Sequence, residues 1–258
     1  MSNSRKQAPL SKEEIVKMKK VCQMAAQVLN HTGKFVKPGI TTKELDLIAD
    51  DFTKSIGGTS ACIGYGGYPY ATCISVNEVV CHGLPSEYKI KDGDILNIDV
   101  TVKKDGFFGD NSKTIMVGNV TKNASDLVDA AYKAMMIGIE AITPNGFTGD
   151  IGFETNKFAT RRGYTTIKEI GGHGIGRVFH GDPFVPAYGK RGKGEKITPW
   201  TCFTVEPMLN EGTDEFIEFD IPNSSIKYYK TADMKLSAQF EHTVLITDTG
   251  YEILTLNN

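Results

Sequence analysis

The chain has few features that mark a specialised environment. Its five cysteines, Cys22, Cys62, Cys73, Cys81 and Cys202, are odd in number and include no C-x-x-C. That argues against a disulfide scaffold or a structural zinc site, and it fits a reducing cytoplasm. Charge of one sign is not in excess: 29 basic and 31 acidic residues give a net charge of −2. A strong field for nucleic acid or a membrane surface is therefore missing. No apolar run is long enough to span a bilayer. Met1 to Pro9 carries Arg5 and Lys6 but no apolar stretch, so it does not read as a secretory signal. The glycines between Gly171 and Gly176 lack the G-x-G-x-x-G spacing, because Arg177 stands where the last glycine is needed, and there is no Walker A lysine pattern. What remains is 258 residues, 40% of them hydrophobic, enough for one large domain or two small ones.

The most informative stretch runs from Asp94 to Asp110. Ile95, Leu96, Ile98, Val100 and Val102 make a β-rich apolar run with one acid, Asp99, in its middle. A turn at Lys104-Asp105-Gly106 reverses the chain. The return segment brings Asp110, ahead of Thr114-Ile115-Met116-Val117. Asp is a poor strand former and is seldom buried unless it is paired or binds a metal. Two acids on facing strands repel, and a cation between them relieves that repulsion. The hairpin alone leaves open that one acid is a turn or surface residue.

Elsewhere the pattern is helices and short strands. Residues 1 to about 10 read as a flexible tail. From Ser11 a long helix is expected, with Ile15, Met18, Val21, Cys22, Ala25, Val28 and Leu29 on one face, broken at Pro38-Gly39. Thr41 and Glu44 have capping-box spacing and open a second helix, stopped by Gly57-Gly58. A Gly/Tyr-rich loop from Ser60 to Pro69 and a strand from Ala71 to Val76 follow. A third helix runs from Ala124 to Ala141.

A shift of 106 residues places Pro144 on Pro38, Asp150 on Glu44, Ile151 on Leu45, Phe158 on Phe52 and Gly163 on Gly57. We read this as an internal duplication, with chance matching as the alternative. Two similar halves, about 11–123 and 124–258, would then form a single domain over 11–258. The same shift sends Asp99 next to Glu206, in the run Thr201 to Met208. The last strand, Ser237 to Ile246, carries Glu241.

Asp99, Asp110, Glu206 and Glu241, with His173 from the Gly-rich turn, form an oxygen-rich set with one nitrogen. That set suits a pair of divalent first-row ions better than a structural zinc. Each acid alone reads as a solvated strand residue; the set as a whole does not. His173 alone could be a structural histidine of a Gly turn, and His82 and His180 surface-loop histidines. Cys81 beside His82 makes a poor nucleophile–base pair, because adjacent strand residues point to opposite faces.

The ordered motifs Asn77 to Gly83, Asn97 to Thr101, Gly109-Asp110, Gly172 to Gly176, Thr204 to Met208 and Ser237 to His242 strongly resemble type I methionine aminopeptidase, over residues 12 to 256. The resemblance implies the pita-bread fold, an α/β (α+β) domain of two pseudo-twofold-related halves of antiparallel strands with covering helices. It implies two divalent ions (Mn, Fe, Co or Zn) held by Asp99, Asp110, His173, Glu206 and Glu241, with Asp110 and Glu241 bridging. It implies a water activated at that dinuclear site. It makes Glu206 a proton relay, places His180 at the scissile carbonyl, and places His82 at the scissile nitrogen. Cys62, Tyr65, Tyr68, Cys73, Phe179 and Gln239 are expected in or beside the methionine pocket. The expected reaction is removal of the initiator methionine from nascent chains with a small second residue. The enzyme is expected to be cytoplasmic and monomeric, with the ribosome near its exit tunnel as a further partner.

Three departures from the family stand out. Asn111 follows Asp110 where Thr is usual, a change expected to tune the metals. Gly66 replaces a polar residue in the Tyr65–Tyr68 loop. The pocket tryptophan of bacterial relatives is missing, since the only tryptophan is Trp200, and Tyr228 or Tyr229 is expected in its place. Two other readings stay open: an aminopeptidase P or prolidase relative, and a non-catalytic pita-bread module.

Overall fold

A computed structural model describes residues 8–256. Helix α1 (Lys12–Gly33) begins at Ser11, whose Oγ accepts from Glu14 N at 3.3 Å while Ser11 N donates to Glu14 Oε2 at 2.8 Å. It ends at Gly33, short of Pro38-Gly39, where the sequence pattern had placed the break. Helix α2 (Thr42–Ser55) carries the expected capping box of Thr41 and Glu44. Helices α3 (Lys122–Glu140) and α4 (Thr148–Arg161) complete the set.

The strands are β1 (Thr59–Ser60), β2 (Cys73–Val76), β3 (Val79–Cys81), β4 (Ile95–Lys104), β5 (Phe107–Met116), β6 (Thr165–Thr166) and β7 (Gly172–Ile175). They continue as β8 (Gly181–Val185), β9 (Cys202–Val205), β10 (Met208–Asn210), β11 (Phe216–Asp220), β12 (Lys227–Thr231), β13 (Ser237–Ile246) and β14 (Tyr251–Ile253). Among the described residues, one large antiparallel sheet runs β1-β4-β5-β13-β9-β7-β8, and β11-β12-β3 form a smaller one. The expected hairpin is β4–β5. Lys104 pairs with Phe107, leaving Asp105-Gly106 as a two-residue turn with φ +49° and +83°. Asp-Gly favours that left-handed pair, and its twist matches the strands.

The helices cover one face of the sheet. Met18, Val21, Cys22 and Ala25 of α1 pack with Leu96, Ile98, Val100 and Val102 of β4 in one buried cluster. Leu127, Ala130, Ala131 and Ala134 of α3 form a second cluster with Ala238 of β13. Helix α1 lies so close to β5 that a Cβ on Gly109 would sit 2.7 Å from Cys22 N. Burying each large apolar side chain stabilises the fold by roughly 1.5–3 kcal/mol, which fixes this face inward and turns the alternate residues to the other side.

The 106-residue shift maps α2 onto α4 and β1 onto β6, end for end. It also maps the bridge at Thr41 onto the bridge at Phe147. One device was lost between the copies. Phe147 has no hydroxyl, so only the Asp150 half of the box survives, accepting from Phe147 N at 3.2 Å.

Residues 1–7 lie outside the described residues. Leu10 is buried, and its N donates to Trp200 O at 2.7 Å.

Candidate active site

Strand register assembles the site in two adjacent rows on the sheet face away from the helices. In the first row Asp99 pairs with Ser112, and Ser112 with Glu241. Strands β9 and β10 hold a single register on β13, Val205 opposite His242 and Met208 opposite Gln239, so Glu206 between them falls opposite Glu241. In the second row Thr101 pairs with Asp110, and His173 N donates to Thr204 Oγ1 at 3.0 Å. Asp99 and Asp110 are thus diagonal neighbours rather than a facing pair.

Threonines two residues from the acids hold them. Thr101 Oγ1 donates to Asp110 Oδ1 at 2.8 Å, and Thr204 Oγ1 donates to Glu206 Oε1 at 2.7 Å. Thr243 Oγ1 donates to Asp110 O at 2.7 Å and accepts from Asp110 N. The motif reading missed these threonines. The signal was available, because residues i and i+2 of a strand share a face.

Electrostatics make the set unstable on its own. Burial pushes the Asp99 carboxyl up to about 7 and that of Glu206 up to about 8. Burial, reinforced by neighbouring carboxylates, drives Asp110 and Glu241 well upward too. His173 is driven the other way, down to about 4, by burial. Its Nδ1 lies 3.3 Å from Gly174 O. A carbonyl only accepts, so Nδ1 carries the proton and Nε2 is an acceptor. That Nε2 faces Glu206 Oε1 at 3.5 Å and Asp110 Oδ2 at 3.8 Å. Glu241 Oε1 is buried with no hydrogen-bond partner among the described residues. Ligand atoms of Asp110, His173 and Glu241 lie within 4.8 Å of one another. A lone pair aimed at buried carboxylates, beside an orphaned carboxylate oxygen, is the donor set that a divalent cation satisfies.

Beside these groups is a cavity of about 240 Å³. Cys62, Tyr65, Tyr68, Cys73, Phe179, His82 and His180 all line it, together with Asp99, Asp110, His173, Glu206 and Glu241. Cys62, Tyr68, Cys73 and Phe179 form a buried apolar cluster. Tyr68 is fixed by its hydroxyl, which donates to Thr72 O and Gly83 O at 3.1 Å each. His82 follows β3 with φ +55°, and its Nδ1 lies 2.9 Å from Lys227 O, so the proton sits on Nδ1 and Nε2 can accept. Burial lowers its pKa and keeps it neutral. His180 stacks on Phe179 with ring centroids 4.1 Å apart and lies 4.2 Å from the His173 ring.

Gln239 sits beside the cavity rather than on its wall; its Nε2 donates to Glu206 Oε2 at 3.0 Å and so orients that carboxylate. Two expectations are corrected. Ile226, not Tyr228 or Tyr229, reaches the cavity wall. Tyr228 stacks on Phe219, and Tyr229 packs with Phe216 outside it. Gly66 is the reason Ile226 fits: its φ is +53°, and a Cβ there would meet Ser225 Oγ at 2.7 Å and Ile226 Cδ1 at 3.0 Å. Asn111 turns away from Asp110, as strand alternation requires, and pairs with Val100 and His242 rather than standing beside the ligands. The cavity also meets Gly171 and, not singled out by any motif, Glu169, Ile170 and Phe184.

Buried carboxylates and a neutral imidazole converging beside an apolar cavity define a metal-dependent hydrolase. Residues 16–248 match the model of metallopeptidase family M24. Methionine aminopeptidase A of Synechocystis is 46% identical over 248 residues, covering 96% of this chain and 96% of that protein. The crystal structure of methionine aminopeptidase from Rickettsia prowazekii superposes with a TM-score of 0.93 at 39% identity, over 96% of this chain and 99% of that one. The prolidase from Pyrococcus horikoshii shares the fold, with a TM-score of 0.77 at 19% identity, over 97% of this chain and 64% of that one. The chain belongs to metallopeptidase family M24 and, within it, to the methionine aminopeptidases.

Proposed function

We propose that this enzyme releases the N-terminal methionine of proteins whose second residue is small, working at two divalent ions. Asp99, Asp110, His173, Glu206 and Glu241 would hold them. The observation that carries this reading is the His173 Nε2 lone pair facing Asp110 and Glu206 beside the unpartnered Glu241 Oε1. Mn, Fe, Co and Zn all accept such ligands. Bound there, such ions would supply Lewis acidity.

The chain's own residues do the rest. The apolar wall of Cys62, Tyr65, Tyr68, Cys73 and Phe179 takes up the methionine side chain, a polarisable thioether suited to such a pocket. Glu206, oriented by Thr204 and Gln239, takes the proton of the attacking water and returns it to the leaving amine. The water oxygen adds to the carbonyl carbon, and the C–N bond then breaks as the nitrogen takes the proton carried by Glu206. His180 donates toward the carbonyl oxygen, and His82 Nε2 accepts from the scissile amide N–H.

The reading extends to a single catalytic domain from Ser11 onward, two halves meeting near 123–124, acting as a monomer on newly made chains. Five buried free cysteines support a reducing cytoplasm as the setting, with the ribosome exit as the place of encounter. Among the described residues no helix is long and apolar enough to cross a membrane.

The test is methionine release from Met-Ala-Ser and Met-Leu-Ser peptides with Mn(II) or Co(II). Release from the first and little from the second is expected. No release from either by folded, metal-loaded protein would overturn the reading.

A further inference from the structure

The loop between β7 and β8 carries Phe179 and His180 into the cavity. Gly176 N donates to Val178 O at 3.1 Å within the loop, and Phe108 N donates to Gly176 O at 2.9 Å. Phe179 stacks between Phe108 and His180, with centroids 5.6 and 4.1 Å away. A displaced loop therefore moves the His180 ring relative to the sheet-borne ligands.

Arg177, at the back of this loop, does not line the cavity. Its Nε donates to Glu14 Oε1 at 2.6 Å and its Nη2 to Glu14 Oε2 at 2.5 Å, a bidentate fork. The remaining donors reach Ala8 O at 2.9 Å and Pro9 O at 3.3 Å. Glu14 is itself fixed as the third residue of α1, accepting from Ser11 N. The segment is pinned at one more point, because Leu10 N donates to Trp200 O, and Trp200 N donates in turn to Ile246 O at the end of β13. Residues 8–14 thus form a strap that joins α1, the end of β13 and the His180 loop.

We propose that this strap, acting through the Arg177–Glu14 fork, sets the position of His180 in the cavity, so that Arg177 and Glu14 are positioning residues for the hydrolysis. An exposed ion pair adds little to global stability, so its effect falls on local geometry. A lysine offers a point charge without the fork and cannot reproduce four directed donors. The proposal rests on the reading of His180 given above.

The experiment is a double-mutant cycle on the full chain, Arg177→Ala with His180→Ala, assayed on Met-Ala-Ser with saturating Mn(II) well below melting. His180→Ala alone is expected to be slow. Arg177→Ala alone is expected to lower kcat roughly tenfold to a hundredfold, the scale of a misplaced catalytic group. Mn(II) affinity by calorimetry stays at the wild-type value, Arg177→Lys does not rescue, and Arg177→Ala costs nothing further in the His180→Ala background. If Arg177→Ala does not fold, Glu14→Gln replaces it in the same cycle. Wild-type kcat in the strap variant, or full additivity with a slow His180→Ala, overturns the proposal. A wild-type rate for His180→Ala overturns instead the reading of His180, and the route through it.

Discussion

His173 Nε2 and Glu206 Oε1 face each other at 3.5 Å, and both are acceptors once Glu206 is ionised. The pair is repulsive unless a proton or a cation lies between, and the two compete for the place. With Asp99 at about 7 and Glu206 at about 8, against ordinary values of 3.8 and 4.5, the metal-free folded protein keeps protons that the unfolded chain has released. The stabilising contribution of these two carboxyls to the metal-free form is therefore full at low pH and declines as pH rises from about 4 to about 8, while His173, lowered to about 4, contributes in the opposite sense below about 6.5. Mn(II) displaces those protons, so its affinity rises over the same window and the loaded protein does not show the decline. Melting curves with chelator and with Mn(II), pH by pH, test this. A flat metal-free profile would contradict it.

Thr204 joins the His173 backbone and the Glu206 carboxylate through one hydroxyl. Its Oγ1 accepts from His173 N and donates to Glu206 Oε1. Thr204→Val keeps the shape and removes both hydrogen bonds. Metal affinity is expected to weaken by roughly 10–100-fold, as when a ligand loses the partner that orients it. Calorimetric Mn(II) titration reads this directly, and an unchanged affinity would show that the ligands orient themselves.

The sequence made the two-strand hairpin, the helical faces and the acid set legible, because each rests on local periodicity. The 106-residue repeat was legible for the same reason: the same turn and cap residues recur at α2 and α4. Three-dimensional alternation was harder to read. Asn111 is adjacent to Asp110 in sequence but on the opposite sheet face, and Gln239 serves Glu206 rather than the cavity. Ile226 could not be foreseen, since its place depends on a distant loop closing over Gly66. The docking of Leu10 onto Trp200 is likewise a contact between chain segments far apart, which periodicity does not encode.

The placement of Asn111 has its own consequence. Because it belongs to the helix-side face, Asn111→Thr is expected to leave Mn(II) affinity unchanged. Thr101→Val, which strips Asp110 Oδ1 of its donor, is expected to weaken affinity by roughly 10–100-fold. Parallel titrations of the two variants decide. A large effect from Asn111→Thr would mean that the helix-side core tunes the ligands through the strand.

Ile226 stands where the cavity meets a loop that only glycine lets approach. Gly66 O accepts from Ser225 N at 2.7 Å, and the missing Cβ leaves room for Ser225 and Ile226. Gly66→Ala adds a methyl at φ +53° and at 2.7 Å from Ser225 Oγ, so either the 223–226 loop withdraws or the Tyr65 loop shifts. Withdrawal takes Ile226 off the cavity wall. The expected result is a KM for Met-Ala-Ser raised by roughly tenfold, the scale of one or two lost methylene contacts, with kcat nearly unchanged. Ile226→Ala alone should give a similar KM, and the two changes together should cost less than their sum, because each removes the same wall. Additive effects would show that Gly66 acts through Tyr65 instead.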